Sequence, residues 1–153
     1  MKLKQKYKEL KSKYNLPDYD SLNHDFDIEE INDESELILT KIRIKMYEKI
    51  DFYKEIIEDL VQPDTSLNSM FEAKNFTDKE REVAYLLFKK LMQLLRQSNL
   101  VALNNHQKQT AEYINETYKT YNSLKPDIEK HLTKLTTVWE HDKNAKSELN
   151  YFG

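Results

Sequence analysis

Residues 76–103 read FTDKEREVAYLLFKKLMQLLRQSNLVAL, and this stretch decides the fold. It opens with Thr77-Asp78-Lys79-Glu80. That is the capping-box pattern, in which a threonine hydroxyl and a glutamate three residues later each take up a free amide donor at a helix start. Behind the cap lie two apolar seams. Ala84, Phe88, Leu91 and Leu95 follow at four, three and four residues, and Val83, Leu87, Leu94 and Val101 at multiples of about 3.5. So wide an apolar face needs more than one neighbour, and the spacing predicts the central helix of a bundle.

Upstream, Asp33-Glu34-Ser35-Glu36 gives a second helix start with Asp33 as cap. The stripe Leu39, Ile42, Met46, Ile50, Tyr53, Ile57, Leu60 carries this helix to about Val61, and Pro63 ends it. Leu37, Ile44 and Phe52 lie off the stripe and are left for the N-terminal helix, the Phe26–Ile31 segment or a partner surface. A connection from Asp64 to Asn75 allows one helical turn around Leu67, Met70 and Phe71.

Downstream, the break falls near Asn104. The next helix places Ala111, Ile114, Tyr118 and Tyr121 on one face and stops before Pro126. Pro126 suits the first position of a last helix, where a missing amide donor costs nothing, with Ile128, Leu132, Leu135 and Trp139 as its stripe. The expected fold is all-α: a single bundle of four to five mostly antiparallel helices with no sheet over residues 1–141, followed by a polar tail, 142–153.

The N-terminal region is divided by charge. Leu3, Tyr7, Leu10 and Tyr14 form one helical stripe among Lys2, Lys4, Lys6, Lys8, Lys11 and Lys13, and Pro17 is expected to stop this helix. Residues 16–36 then carry nine acids and no lysine or arginine. Asp20 is positioned to cap a turn through Phe26, and Leu22, Phe26, Ile28 and Ile31 anchor the segment.

Composition excludes several chemistries. At 153 residues the chain is the size of one domain, and its formal net charge of -3 gives no general attraction to nucleic acid. Cysteine is absent, which removes disulfides, thiolate nucleophiles and cysteine-based zinc sites and suits a reducing cytoplasm. The one glycine is Gly153, so phosphate-cradling loops, dinucleotide fingerprints and nucleophile elbows are excluded. Met1 to Lys6 lacks the apolar core of a signal peptide, and no apolar run is long enough to span a membrane. A cytoplasmic protein without membrane partners is expected.

The acidic Leu16-Pro17-Asp18 to Ile31 segment, the run Lys90-Leu91-Met92-Gln93-Leu94-Leu95-Arg96 and the run Ala111-Glu112-Tyr113-Ile114-Asn115-Glu116 resemble a group of small uncharacterised helical proteins of archaea. The resemblance covers most of the chain and implies no activity.

Candidate sites are few. His24, His106, His131 and His141 lack the Glu-x-x-His or one-turn pairing of metal sites and are read as surface residues. Asp25, Asp27, Glu29 and Glu36 match positions of a calcium-binding hand, but Glu30 stands where that loop needs glycine, so capping acids are expected. No metal or cofactor is expected. The six N-terminal lysines are the candidate interaction surface, either following a phosphate backbone or neutralised by the acids that come next. Arginine occurs only at Arg43, Arg81 and Arg96. Arg81 and Arg96 are expected at one edge of the central helix, within reach of Glu112 or Glu116 as structural ion pairs or a ligand clamp. The expected function is a non-enzymatic helical module acting through protein contacts. The alternative is a nucleic-acid- or ribosome-associated protein using the lysine helix.

Overall fold

The computed structural model describes residues 2–32 and 37–140. They form six α-helices: α1 (Lys2–Tyr14), α2 (Tyr19–Phe26), α3 (Ile38–Val61), α4 (Leu67–Lys74), α5 (Asp78–Asn104) and α6 (Gln107–Glu140). A 3-10 turn at Ile28–Glu30 follows α2, and no strand occurs among the described residues. The cap expected at Asp33–Glu36, His141 and the tail 142–153 lie outside the described residues. Packing gathers the chain into two compact units: Met1–Phe52 with Met92–Ser123, and Tyr53–Leu91 with the chain from Leu124 onward.

In the first unit α3 and α5 run antiparallel, since Thr40 meets Asn105 and Arg43 meets Ser98. α5 turns into α6 at Asn105, whose φ of 54° places it in the left-handed region that asparagine tolerates at helix ends. α1 is closed in the same way by Asn15, also at φ 54°, ahead of the stop expected at Pro17. The buried Tyr7 hydroxyl donates to the Pro17 carbonyl, and Tyr7 meets Tyr19 edge-on at 5.4 Å. Burial, then the charge of Asp18, push the Tyr7 phenol well above its ordinary pKa, so it stays a donor. Asp18, not Asp20, precedes α2 and makes no side-chain cap bond. Leu22, Phe26, Ile28 and Ile31 are buried as anchors of the acidic segment.

In the second unit the capping box of α5 is complete: the Glu80 amide donates to Thr77 Oγ1 at 3.1 Å, and the Thr77 amide to Glu80 Oε1 at 2.9 Å. α4 has eight residues, longer than the single turn expected, because Ser66 caps it by accepting from the Ser69 amide.

Two expectations are corrected along the helices themselves. Pro126 does not begin a helix but lies inside α6, which is one helix of 34 residues. Its ring is exposed and the carbonyl it leaves without a donor belongs to the exposed Asn122, where water can bond it. The buried positions Thr110, Ile114, Thr117, Tyr121, Leu124, Ile128, His131, Leu135 and Val138 alternate by four and three straight past the proline. The stripe at the end of α6 is therefore shifted by one residue from Leu132 and Trp139, the latter 51% exposed. In α5 the buried register is Ala84, Leu87, Leu91, Leu94 and Ser98, with Leu95 beside it, whereas Val83 is exposed.

Candidate functional site

The lysine helix is partly neutralised within its own unit. Lys4 pairs with Asp20 at 3.6 Å and Lys11 with Asp18 at 3.3 Å, while Lys13 sits over the Tyr14 ring. Lys2 and Lys8 are exposed. Other acids of the segment are engaged not by α1 but by α3, which the sequence pattern did not suggest: Lys45 reaches Glu30 at 2.6 Å and Lys49 reaches Asp27 at 3.3 Å. These exposed pairs each contribute at most about 1 kcal/mol. Of the acids matched to a calcium-binding hand, Asp25 is buried on α2, Asp27 is engaged by Lys49, and the Glu29 amide donates to Asn23 Oδ1, while Glu36 lies outside the described residues.

Among the described residues Arg96 makes no ion pair with Glu112 or Glu116, and both arginines have partners on their own helix. Arg81 holds Asp78, one turn back on its own helix, and Arg96 donates to Asn99 Oδ1 at 3.1 Å. A helical edge offers an i,i+3 partner at lower entropic cost than a partner on another helix. Arg43 is the buried arginine instead. It is 9% exposed, donates through Nη1 to Ser98 Oγ at 2.9 Å, and its Nε has no partner among the described residues. Tyr113 and Thr117 stand beside it: Tyr113 donates to the Leu94 carbonyl at 3.0 Å, and the buried Thr117 hydroxyl lacks a well-placed partner. Burial raises the Tyr113 phenol pKa, while Thr117, Ser98 and the Arg43 charge pull it the other way. Sequence did carry a signal for Arg43, because Leu39, Arg43, Met46 and Ile50 are spaced four, three and four.

His131 is a further buried polar residue, expected from the sequence at the surface. It is 6% exposed rather than on the surface, and its Nδ1 lies 2.7 Å from the Asp127 carbonyl, which accepts and so fixes the proton on Nδ1. It borders a cleft of about 140 Å³ with Phe76, Val83, Glu80 and Lys134. Lys134 pairs with Glu80 and covers the Phe76 ring at 4.5 Å. That pair, followed by the Thr77 amide, holds the Glu80 carboxyl down to about 2. Glu80, Lys134 and His131 Nδ1 already have structural partners here, and Asp127 and Lys130 complete the rim. At the end of the same unit, Trp139 packs on Phe71 at 4.4 Å and donates to Glu72 at 2.8 Å.

Glu112 and Glu116 belong to an open, largely apolar groove of the first unit. The groove, of about 430 Å³, runs between α5 and α6. Gln97, Leu100, Val101 and Asn104 form one wall, and Gln109, Glu112, Tyr113 and Glu116 the other. Each set is spaced i, i+3, i+4, i+7, one face of a helix. Leu100 is 65% exposed, and Leu103, one turn on, is 80% exposed. No ion pair among the described residues involves Glu112 or Glu116.

No family model matches the chain, and no curated protein or solved structure matches it. Among the described residues no group of three potential metal ligands converges, and no helix is long and apolar enough to cross a membrane.

Proposed function

We propose that this chain is a non-enzymatic helical module of the cytoplasm that works by contact with another protein, and that the turn end of the α5–α6 hairpin is its contact face. The observation that carries this is the pair Leu100 and Leu103, 65% and 80% exposed beside the half-buried Val101. Full burial of a leucine is worth about 1.5–3 kcal/mol, so each forgoes roughly 1–2 kcal/mol while it faces water. A partner that covered both would recover that. An origin among small helical proteins of archaea is part of the same proposal.

The nucleic-acid alternative, resting on Lys2, Lys4, Lys6, Lys8, Lys11 and Lys13, is less well supported, because Asp18 and Asp20 already hold two of these lysines. The proposal is tested by in-cell photo-crosslinking from position 100, with position 8 as control. Adducts to one defined polypeptide from position 100 are expected. Adducts to nucleic acid from position 8, with none from position 100, would favour the alternative.

A further inference from the structure

Given the protein-contact function proposed above, on which this inference rests, the shape and charge of the contact face narrow its occupant. We propose that the α5–α6 groove takes one amphipathic, cationic helix of another protein. Its apolar stripe would lie on Leu100 and Val101, and its lysines or arginines would face Glu112 and Glu116.

Three features support this. Two antiparallel helices, each presenting an i, i+3, i+4, i+7 face, leave a trough whose natural complement is a third helix, as in helix-in-groove recognition. The trough is polarised, with Glu112 and Glu116 one turn apart on the α6 wall and only neutral Gln97 and Asn104 among the polar residues of the α5 wall. The carboxylates have no cation of their own among the described residues, so an incoming cation would displace nothing. Complementary rim charges of this kind select a partner and its orientation.

A second copy of this chain fits poorly. It would bring the same two carboxylates to the groove, and its one strongly basic helix, α1, has Leu3 and Tyr7 of its apolar stripe already buried. Nucleic acid is disfavoured by the same carboxylates, which repel phosphate.

The test uses the full chain with a photo-crosslinking residue at position 103, expressed in the cells that make it. The captured segment is sequenced, synthesised as a peptide, and titrated against the wild-type chain and the Glu112→Lys/Glu116→Lys variant, whose unchanged thermal melt confirms folding. The captured segment is expected to carry apolar residues at i, i+3, i+4 and i+7 with lysine or arginine beside them. Charge reversal should weaken binding by at least about tenfold, two attractions becoming two repulsions. Changing the peptide's cations to glutamate should restore it. A captured segment that is extended or acidic, a second copy of this chain, or an affinity indifferent to reversal overturns the helix proposal. An extended or acidic foreign segment would leave the protein-contact function standing. Absence of any protein adduct from positions 100 and 103 overturns both.

Discussion

Replacing Arg43 by methionine is expected to make the protein more stable. The guanidinium is 9% exposed, and its one hydrogen bond among the described residues is to the neutral Ser98 hydroxyl at 2.9 Å. A hydrogen bond to a charged group is worth about 1.5–3 kcal/mol, whereas burying an ion costs several kcal/mol even after relaxation. Methionine follows a similar path through the core and adds apolar burial with a flexible, gap-filling side chain. Replacing buried ionic groups by apolar ones ranges from neutral to about 4 kcal/mol stabilising. The exposure Arg43 retains lets water reach part of the group, which puts the expected gain in the lower half, about 1–2 kcal/mol. For a chain of this size that is a rise of about 2–8 °C in melting temperature. Urea denaturation followed by circular dichroism and by the fluorescence of Trp139, the only tryptophan, measures it. Ser98→Ala should cost about 1–3 kcal/mol in the wild type, where it strips the guanidinium of its partner. In the Arg43→Met background it should cost much less. A fall of more than about 1 kcal/mol for Arg43→Met, or equal costs of Ser98→Ala in both backgrounds, would refute the reasoning.

Three further outcomes are expected. Pro126→Ala should stabilise the chain by about 1–3 kcal/mol, because proline inside a helix costs about 3 kcal/mol relative to alanine. A loss in urea denaturation would mean that a helix begins at Pro126 after all. The folded Glu80 carboxyl titrates at about 2, below its ordinary 4.5. Its contribution is therefore complete above pH 4.5 and lost as pH falls toward 2, and carbon NMR of the labelled carboxyl reads the midpoint. A midpoint near 4.5 would show the Lys134 pair to be absent in solution. Thr77→Ala should cost about 1 kcal/mol by loss of the cap, and an unchanged denaturation midpoint would contradict the capping box.

Local signals are the legible part of the sequence. Thr77 and Glu80 announce the start of α5, and Asn104 its end, because capping and chain reversal depend on residues a few positions apart. Pro126 misleads because its local preference for a first helical turn is outweighed by packing: Leu124 and Ile128 on either side are buried, and the ring itself falls on the exposed face. Arg43 and His131 escape the sequence pattern for a related reason. Both occupy seam positions, but a seam admits two neighbouring registers, and polarity alone assigns such residues to the outer one. The i,i+3 partner of Arg81 lies in plain view at Asp78, whereas the groove at Leu100 depends on which side of α6 faces α5, information that no short window holds.

The central claim is that Leu100 and Leu103 serve a contact and not the core. Replacing both by aspartate and measuring stability and association on the same preparation tests it most directly. Stability within about 0.5 kcal/mol of wild type, as for exposed sites, together with loss of the crosslinked polypeptide, is the predicted result. A stability loss above about 1 kcal/mol, or an association that survives both aspartates, would contradict it.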